Sequence, residues 1–396
     1  MKKVFIVKTN RTPFGKIGGL LSPLRPDDLL ATCLKDVTKG LDFDLSLIDD
    51  IYIGCANQAG EDNRNIARMG STLAGIPFSV PATTINRLCA SSLDAIGSAY
   101  ARIKSGLADC ILAGGVESMS RAPYVISKTS SPFGRDQKMW DSSFGWRFPN
   151  PKMEEIFPLL GMGQTAENLA EEFNISREDQ DQYALASHQK ALKNKNKIQK
   201  GLIPIDVSLR KKSYTVDFDE CVRESSSLES LSNLRPVFKK NGTVTAGNSS
   251  PMNDGAGVLL VCSEEFLKNI KTDLIVEITG YATAGVHPST MGIGPVESTK
   301  KLFSLTKTNV NNYDFFEMNE AFAVQVLACQ RQLNIPLEKI NPWGGAISQG
   351  HPLGASGSRL AHQAFEIFKD DKTKNHALLN MCVGVGQGVS LSLSKA

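Results

Sequence analysis

Short apolar runs alternate with helical stretches along the first 120 residues, and that alternation narrows the fold more than any other feature. Residues 4–8 read as a strand, 26–37 as a helix, 50–54 as a second strand and 91–104 as a small-residue helix. Pro26 falls near the first turn of its helix, where its missing N–H costs nothing, and Leu29, Leu30 and Leu34 share one face. Residues 109–114 form a mostly apolar run that ends in Gly-Gly, the pattern of a strand buried on both faces. Strands that alternate with helices imply βαβ units and a mostly parallel sheet, hence an α/β fold.

Between about residues 121 and 245 the pattern changes. Aromatics and prolines gather at 144–158, a Lys/Asn-rich stretch covers 190–200, and 225–232 is Ser-rich. Residues 167–192 suit a helical pair whose second member is capped by Ser176, with Asp179 three residues on. The expected organisation is a first half at 1–120, an inserted loop domain at 121–250 that includes the end of that half, and a second half at 251–396. Apolar elements resume at 258–262, 274–282 and 318–332, and 389–393 is the last strand signal. A small-residue helix leading to a glycine-punctuated strand occurs twice, at 89–113 and at 351–381, which suggests a duplicated α/β unit.

The length of 396 residues suits two or three domain-sized units, and 41% hydrophobic residues supply a large core. Lys and Arg number 44 against 41 Asp and Glu, a net charge of +3 that gives no electrostatic argument for nucleic-acid binding. No apolar run reaches the roughly 18 residues of a membrane span, and the N-terminal run is too short for a signal-peptide core. The eight cysteines are scattered, with no C-x-x-C pair, so neither a disulfide framework nor a metal site is expected. The expectation is a cytoplasmic protein.

Five places carry candidate chemistry. Cys89 stands where an apolar segment, 82–85, meets a helix start; the helix dipole and its N–H groups would lower the thiol pKa, whereas the bland reading is a small core residue. His351 sits in the run from Asn341 to Gly357, with glycines at 344, 345, 350, 354 and 357, as either a base for a thiol or a capping histidine. Cys382 leads the turn Gly384-Val385-Gly386-Gln387-Gly388, which presents N–H groups to an anion or carbonyl but does not fit a dinucleotide fingerprint. Asn319 and Glu320 are read as opening a helix, Asn319 as a holder of a water or carbonyl and Glu320 as a first-turn charge. The segment 243–250 is small, polar and loop-like. Two thiols, an imidazole and an amide in glycine-rich loops outline covalent acyl chemistry. A cysteine protease or hydrolase competes, but it does not call for a second glycine-set thiol.

The motifs around Cys89, at 114–120, 243–250, 319–323, 344–357 and 382–388 stand in family order, and the chain resembles a thiolase over essentially its whole length. The resemblance implies a five-layered αβαβα body of two similar halves with an inserted loop domain. It implies that Cys89 is acylated, His351 activates it, and Cys382 moves a proton at the α-carbon of the acetyl-CoA nucleophile. Asn319, through a water, and His351 would form one oxyanion hole, and the N–H groups of Cys89 and Gly384 the other. Coenzyme A and acetyl-CoA would be substrates, with no permanently bound cofactor, and Arg223, Ser230, Leu234, Phe238, Ala246, Ser250 and Phe322 would contact CoA. A homodimer or homotetramer is implied.

Ser92, Gly161, Pro251 and Trp343 depart from the family pattern. Trp343, near the His351 loop, would narrow the acyl pocket or disturb His351, which leaves open an acyl-CoA binder with weakened catalysis. Residues 54–65 and 145–148 look like the branch that cleaves 3-oxoadipyl-CoA, whose distal carboxylate an arginine such as Arg64 or Arg147 could pair with.

Overall fold

The computed structural model describes residues 2–209 and 212–396. Its centre is a mixed sheet made of two half-sheets with the same strand order. In the first, Ala82–Ile85 runs parallel to Asp50–Gly54, which runs parallel to Cys110–Ser118; Asn253–Ser263 and Val4–Arg11 follow antiparallel. In the second, Phe315–Met318 runs parallel to His376–Val383, followed antiparallel by Gln387–Lys395 and Val276–Gly285. The counterpart of Ala82–Ile85 shrinks there to a single parallel bridge between Phe316 and Ile340. The half-sheets meet where Phe5 and Ile6 pair with Glu277 and Val276.

The strands are apolar on both faces because both faces are covered, and the alternation of side chains sorts them into layers. From Cys110–Ser118, Ile111 and Ala113 enter a cluster with Leu93, Ile96, Leu360 and Ala364, which belong to the two central helices Ser91–Lys104 and Ser356–Asp370. Cys110, Leu112 and Val116 face the other way, against Leu29, Leu30 and Leu34 of Pro26–Thr38 and Ile66 of Ile66–Leu73. In the second half Leu379 and Met381 join the central cluster, while Leu378 packs outward with Val296, Leu302 and Val326 of the helices Gly294–Thr306 and Ala323–Leu333. Helix, sheet, helix, sheet, helix gives five layers, an α/β fold of two similar halves. Each fully buried Leu or Ile in these clusters contributes about 1.5–3 kcal/mol.

The central helices touch closely because small residues line their contact. A Cβ on Gly357 would stand 2.3 Å from the Leu93 backbone nitrogen, and the Ser358 N–H donates to Ser92 Oγ at 3.0 Å. Ser92, a departure from the family pattern, therefore joins the two helices. Ser176 accepts from the Asp179 N–H, so the expected helical pair forms as Met162–Glu172 and Arg177–Lys193. The middle segment is anchored to the body by Arg11 and Asp219, a buried bidentate pair at 2.7 and 2.8 Å. Breaking such a pair on one side costs about 3–5 kcal/mol, since the other charge stays buried.

Two boundaries differ from the expectation. Asn319 and Glu320 do not open a helix; they occupy the turn between Phe315–Met318 and the helix that starts at Ala323. The second central helix starts at Ser356, after a 3-10 turn at Leu353–Ala355, because Pro352 and the left-handed Gly350 hold His351 outside it.

Candidate active site

Cys89 is set by a sharp strand–turn–helix passage. Ala82–Ile85 ends, Leu88 takes a left-handed conformation with φ 46°, and Cys89 follows in a 3-10 turn two residues before the central helix starts at Ser91. That conformation is costly for a residue with a Cβ, and local hydrogen bonds enforce it. The Leu88 N–H donates to Asn86 Oδ1 at 2.8 Å, and Ser91 Oγ accepts from Arg87 N and donates to Leu88 O. Arg87 also donates to Gln387 Oε1 at 2.8 Å, tying this turn to the glycine turn after Cys382. The backbone N–H groups of Gly384 and of Cys89 itself both favour the thiolate form of Cys89, which places them on the sulfur's side of the turn.

The expected lowering of the thiol pKa does not occur. Burial pushes Cys89 up to about 11, outweighing the two N–H donors that act the other way, and Glu117 adds to the rise. His351 is held down to about 3, first by burial and then by the charge of Arg359, so it is a neutral imidazole. A standing thiolate–imidazolium pair is therefore disfavoured; the thiol proton must pass to the imidazole as the new carbon–sulfur bond forms. Cys382, at the end of His376–Val383, is buried and its thiol is pushed well above the usual range, mainly by burial and next by neighbouring Cys89.

His351 is held from several sides. Its N–H donates to Asn253 Oδ1 at 2.8 Å, its Nδ1 lies 2.6 Å from Ser356 Oγ, and Asn319 Nδ2 lies 3.5 Å from both ring nitrogens. Asn319 is fixed by its own N–H to Asn380 O at 2.9 Å, and Arg359 reaches its Oδ1 at 3.5 Å. The turns carrying Cys89 and Leu353–Ala355 pack on each other, and the Cys89 turn packs on the Cys382 strand. The structure thus brings Cys89, His351, Asn319, Cys382 and Gly384 into one place.

A cavity of about 280 Å³ opens over Cys89, lined among others by Asn57, Glu117, Arg147, Met162, Leu353 and Gly384. A larger groove of about 520 Å³, lined by Leu192, Lys195, Phe218 and Glu220, contains none of the expected site residues. Arg147 reaches Asn57 Oδ1 at 3.3 Å and Ser142 O at 3.2 Å, and among the described residues it forms no ion pair. Arg64 is exposed and is not part of the lining. Gly161 lines the cavity, and a side chain there would meet only Gln164 Oε1, so its glycine widens the space. Trp343 does not narrow it: the ring is buried beside Lys197, at a small recess shared with Ile198, His362 and Gln363.

Three buried side chains outside the expected set organise the site. Glu117 accepts N–H bonds from Ala56 (2.9 Å), Asn57 (3.1 Å) and Gly354 (2.8 Å), joining the cavity wall to the His351 loop. Burial pushes it up to about 7 against those three donors. Glu320 is no first-turn charge on a helix. It is buried and accepts from Tyr183, Ser187, Asn341 and the Ile347 N–H, which folds 341–347 around it. Asn253 is the third. Glu117 lies inside the 114–120 motif and Glu320 beside Asn319, so their presence in motifs was the available signal, but their partners come from distant segments.

Of the expected CoA contacts, Leu234, Phe238, Ala246, Ser250 and Phe322 converge. Phe238 and Phe322 meet edge to face at 6.3 Å, Ser250 N–H donates to Ala321 O at 3.0 Å, and Leu234 packs against Gly247, next to the exposed Ala246. Ser230 is used locally, its Oγ donating to Ser227 O and accepting from Ser227 N in the cap of Leu228–Ser232. Arg223 is exposed, and its backbone N–H donates to His188 Nδ1 at 3.2 Å.

The profile of the thiolase N-terminal domain matches residues 4–265 and that of the thiolase C-terminal domain residues 272–395. The chain belongs to the thiolase family. As a thiolase it is an acyl-CoA acyltransferase, with coenzyme A thioesters as substrates. It is 46% identical to a beta-ketoadipyl-CoA thiolase of Acinetobacter baylyi over 401 residues, all of both chains. It is 45% identical to the 3-oxoadipyl-CoA/3-oxo-5,6-dehydrosuberyl-CoA thiolase of Escherichia coli, again over all of both. The crystal structure of human mitochondrial 3-ketoacyl-CoA thiolase superposes with a TM-score of 0.92 at 37% identity, covering 100% of this chain and 99% of that one. Its complex with CoA gives 0.90 at 36%, covering 100% and 98%.

Proposed function

We propose that this thiolase cleaves 3-oxoadipyl-CoA with CoA to acetyl-CoA and succinyl-CoA. The observation that carries the reading is Arg147, a cation in the wall of the Cys89 cavity that hydrogen-bonds to neutral groups and, among the described residues, forms no ion pair, although Asp62 feels its charge. A distal substrate carboxylate supplies that partner. The relatives named above, similar over their full length, support the same substrate class.

In this reading Cys89 Sγ attacks the 3-oxo carbon while its proton passes to His351. The oxyanion that forms is met by the N–H groups of Cys89 and Gly384. The bond between C2 and C3 breaks, the electron pair remains on the acetyl-CoA fragment as an enolate, and Cys382 returns a proton to that carbon. Its raised pKa suits a thiol that donates to a carbanion and then recovers its proton. Asn319, through a water, and His351 steady the thioester oxygen of the enolate. The proton on His351 passes to the Cys382 thiolate, and acetyl-CoA leaves succinyl-Cys89. CoA then attacks with neutral His351 taking its thiol proton, and that proton goes to the Cys89 sulfur as the acyl–sulfur bond breaks and succinyl-CoA departs.

For CoA we assign the wall of Leu234, Phe238, Ala246, Ser250 and Phe322, with Ser230 beside it and Arg223 toward the phosphates. The chain divides, in this reading, into the segments 1–120, 121–250 and 251–396 given above. We also assign the protein to the cytoplasm, on its eight unpaired cysteines, and to a homodimer or homotetramer. The exposed edge of Ala82–Ile85 and the exposed Tyr124, Ile126, Phe133 and Met139 support assembly. Among the described residues no helix is long and apolar enough to cross a membrane.

Arg147→Met tests the substrate. Its kcat/KM for 3-oxoadipyl-CoA is expected to fall roughly 10- to 100-fold, while that for 3-oxohexanoyl-CoA, of equal length but uncharged, stays within about threefold. Equal losses on both substrates would reject the charge pairing. Mass spectrometry with succinyl-CoA should find the acyl group on Cys89 and should lose it when CoA is added.

A further inference from the structure

Ser356 opens the second central helix and is fully buried. Its hydroxyl lies between two groups: Pro352 O at 2.8 Å and His351 Nδ1 at 2.6 Å. A hydroxyl has one proton to give, and a carbonyl oxygen has none. If Ser356 donated to Nδ1, two oxygens would face each other at 2.8 Å with no hydrogen between them. If it donates to Pro352 O, its lone pair receives a proton from Nδ1, and both contacts become attractive.

We propose that Ser356 is a positioning residue that fixes His351 as the Nδ1–H tautomer and leaves Nε2 bare to take the proton of Cys89. The inference rests on the reading of His351 as the base. Asn319 Nδ2 lies at 3.5 Å from both ring nitrogens and does not distinguish the tautomers, so the two contacts of the Ser356 hydroxyl carry the assignment. Burial and the charge of Arg359 keep the imidazole neutral, so the distinction between its two nitrogens persists at working pH. Once Nε2 has taken the proton, it is the group that can donate to a thioester oxygen.

Nitrogen NMR of the full chain labelled with 15N-histidine reads the tautomer directly. The ring signals of His351, one of five histidines, are assigned by their loss in His351→Asn. The Nδ1–H tautomer is expected in the wild-type protein, and an Nε2–H tautomer there overturns the proposal whatever any variant does. In Ser356→Ala the ring should shift toward Nε2–H, and acylation of Cys89 by acetyl-CoA should slow by about 10- to 100-fold. Ser356→Thr, which keeps the hydroxyl, should recover the tautomer. An unchanged tautomer in Ser356→Ala overturns the proposal. A tautomer that moves without slowing acylation upholds the role of Ser356 and instead rejects His351 as the base.

Discussion

At the scale of single residues, Cys89 and His351 are both neutral in the resting site, one held up to about 11 and the other down to about 3. Reaction with a small alkylating agent should therefore keep rising with pH, close to tenfold per unit, through about pH 9. A plateau below pH 8 in iodoacetamide kinetics would contradict the burial of the thiol. Cys89, His351, Cys382 and Asn319 were legible in the sequence as candidates with a bland reading beside each, and the resemblance to thiolases, not their spacing, joined them into one site. Their ionisation was not. A helix start suggests a lowered thiol pKa, but the desolvation that wins here depends on packing from both half-sheets. Glu117 and Glu320 were illegible as organisers for a related reason. Nothing local distinguishes a buried carboxylate from a solvated one until Ala56, Asn57 and Gly354, or Tyr183, Ser187 and Ile347, are known to meet it.

At the scale of elements, the contact between the two central helices decides whether the site forms, because Cys89 and His351 lie just before them. Gly357→Ala would press a methyl group to 2.3 Å from the Leu93 backbone, which no side-chain rotation relieves. Overpacking of this kind costs about 1–3 kcal/mol, and here the strain falls on the separation of the two reactive turns. A fall in the urea midpoint together with slower acylation of Cys89 is the expected result; an unchanged midpoint would mean that the helices separate freely. Strand and helix bounds such as Asp50–Gly54 and Ser91–Lys104 follow the apolar pattern, since a strand buried on both faces and a small-residue helix both announce themselves. The turn at Asn319 and Glu320 did not, because Ala321 and Phe322 continue the apolar run while buried Glu320 draws the backbone away from helix.

At the scale of the molecule, buried titrating groups set how stability varies with pH. His351 and His362 are held to about 3 and His188 to about 4, mainly by burial, against an ordinary 6.5. The unfolded chain protonates them first, so their contribution is full above 6.5 and is lost as pH falls toward 3–4. Burial raises Glu117 to about 7 and Glu317 to about 8 from 4.5, so the folded chain holds protons that the unfolded chain gives up. Their contribution is full below 4.5 and is lost as pH rises through 7 to 8. Three histidines oppose two carboxylates between about 4.5 and 6.5, so stability should still rise with pH there, more gently than below about 4.5, reach its maximum near 6.5 and fall above about 7. Denaturant midpoints measured from pH 4 to 9 check this, and a maximum above pH 8 would contradict it.

The single bridge between Phe316 and Ile340 stands where the first half has a full outer strand. Seen from that bridge, Cys89 and His351 occupy the same place in two repeats: each follows the outermost strand position and precedes a central helix. One loop position, used once in each half, therefore delivers both reactive side chains, and the packing of the Cys89 turn on the Leu353–Ala355 turn sets their separation.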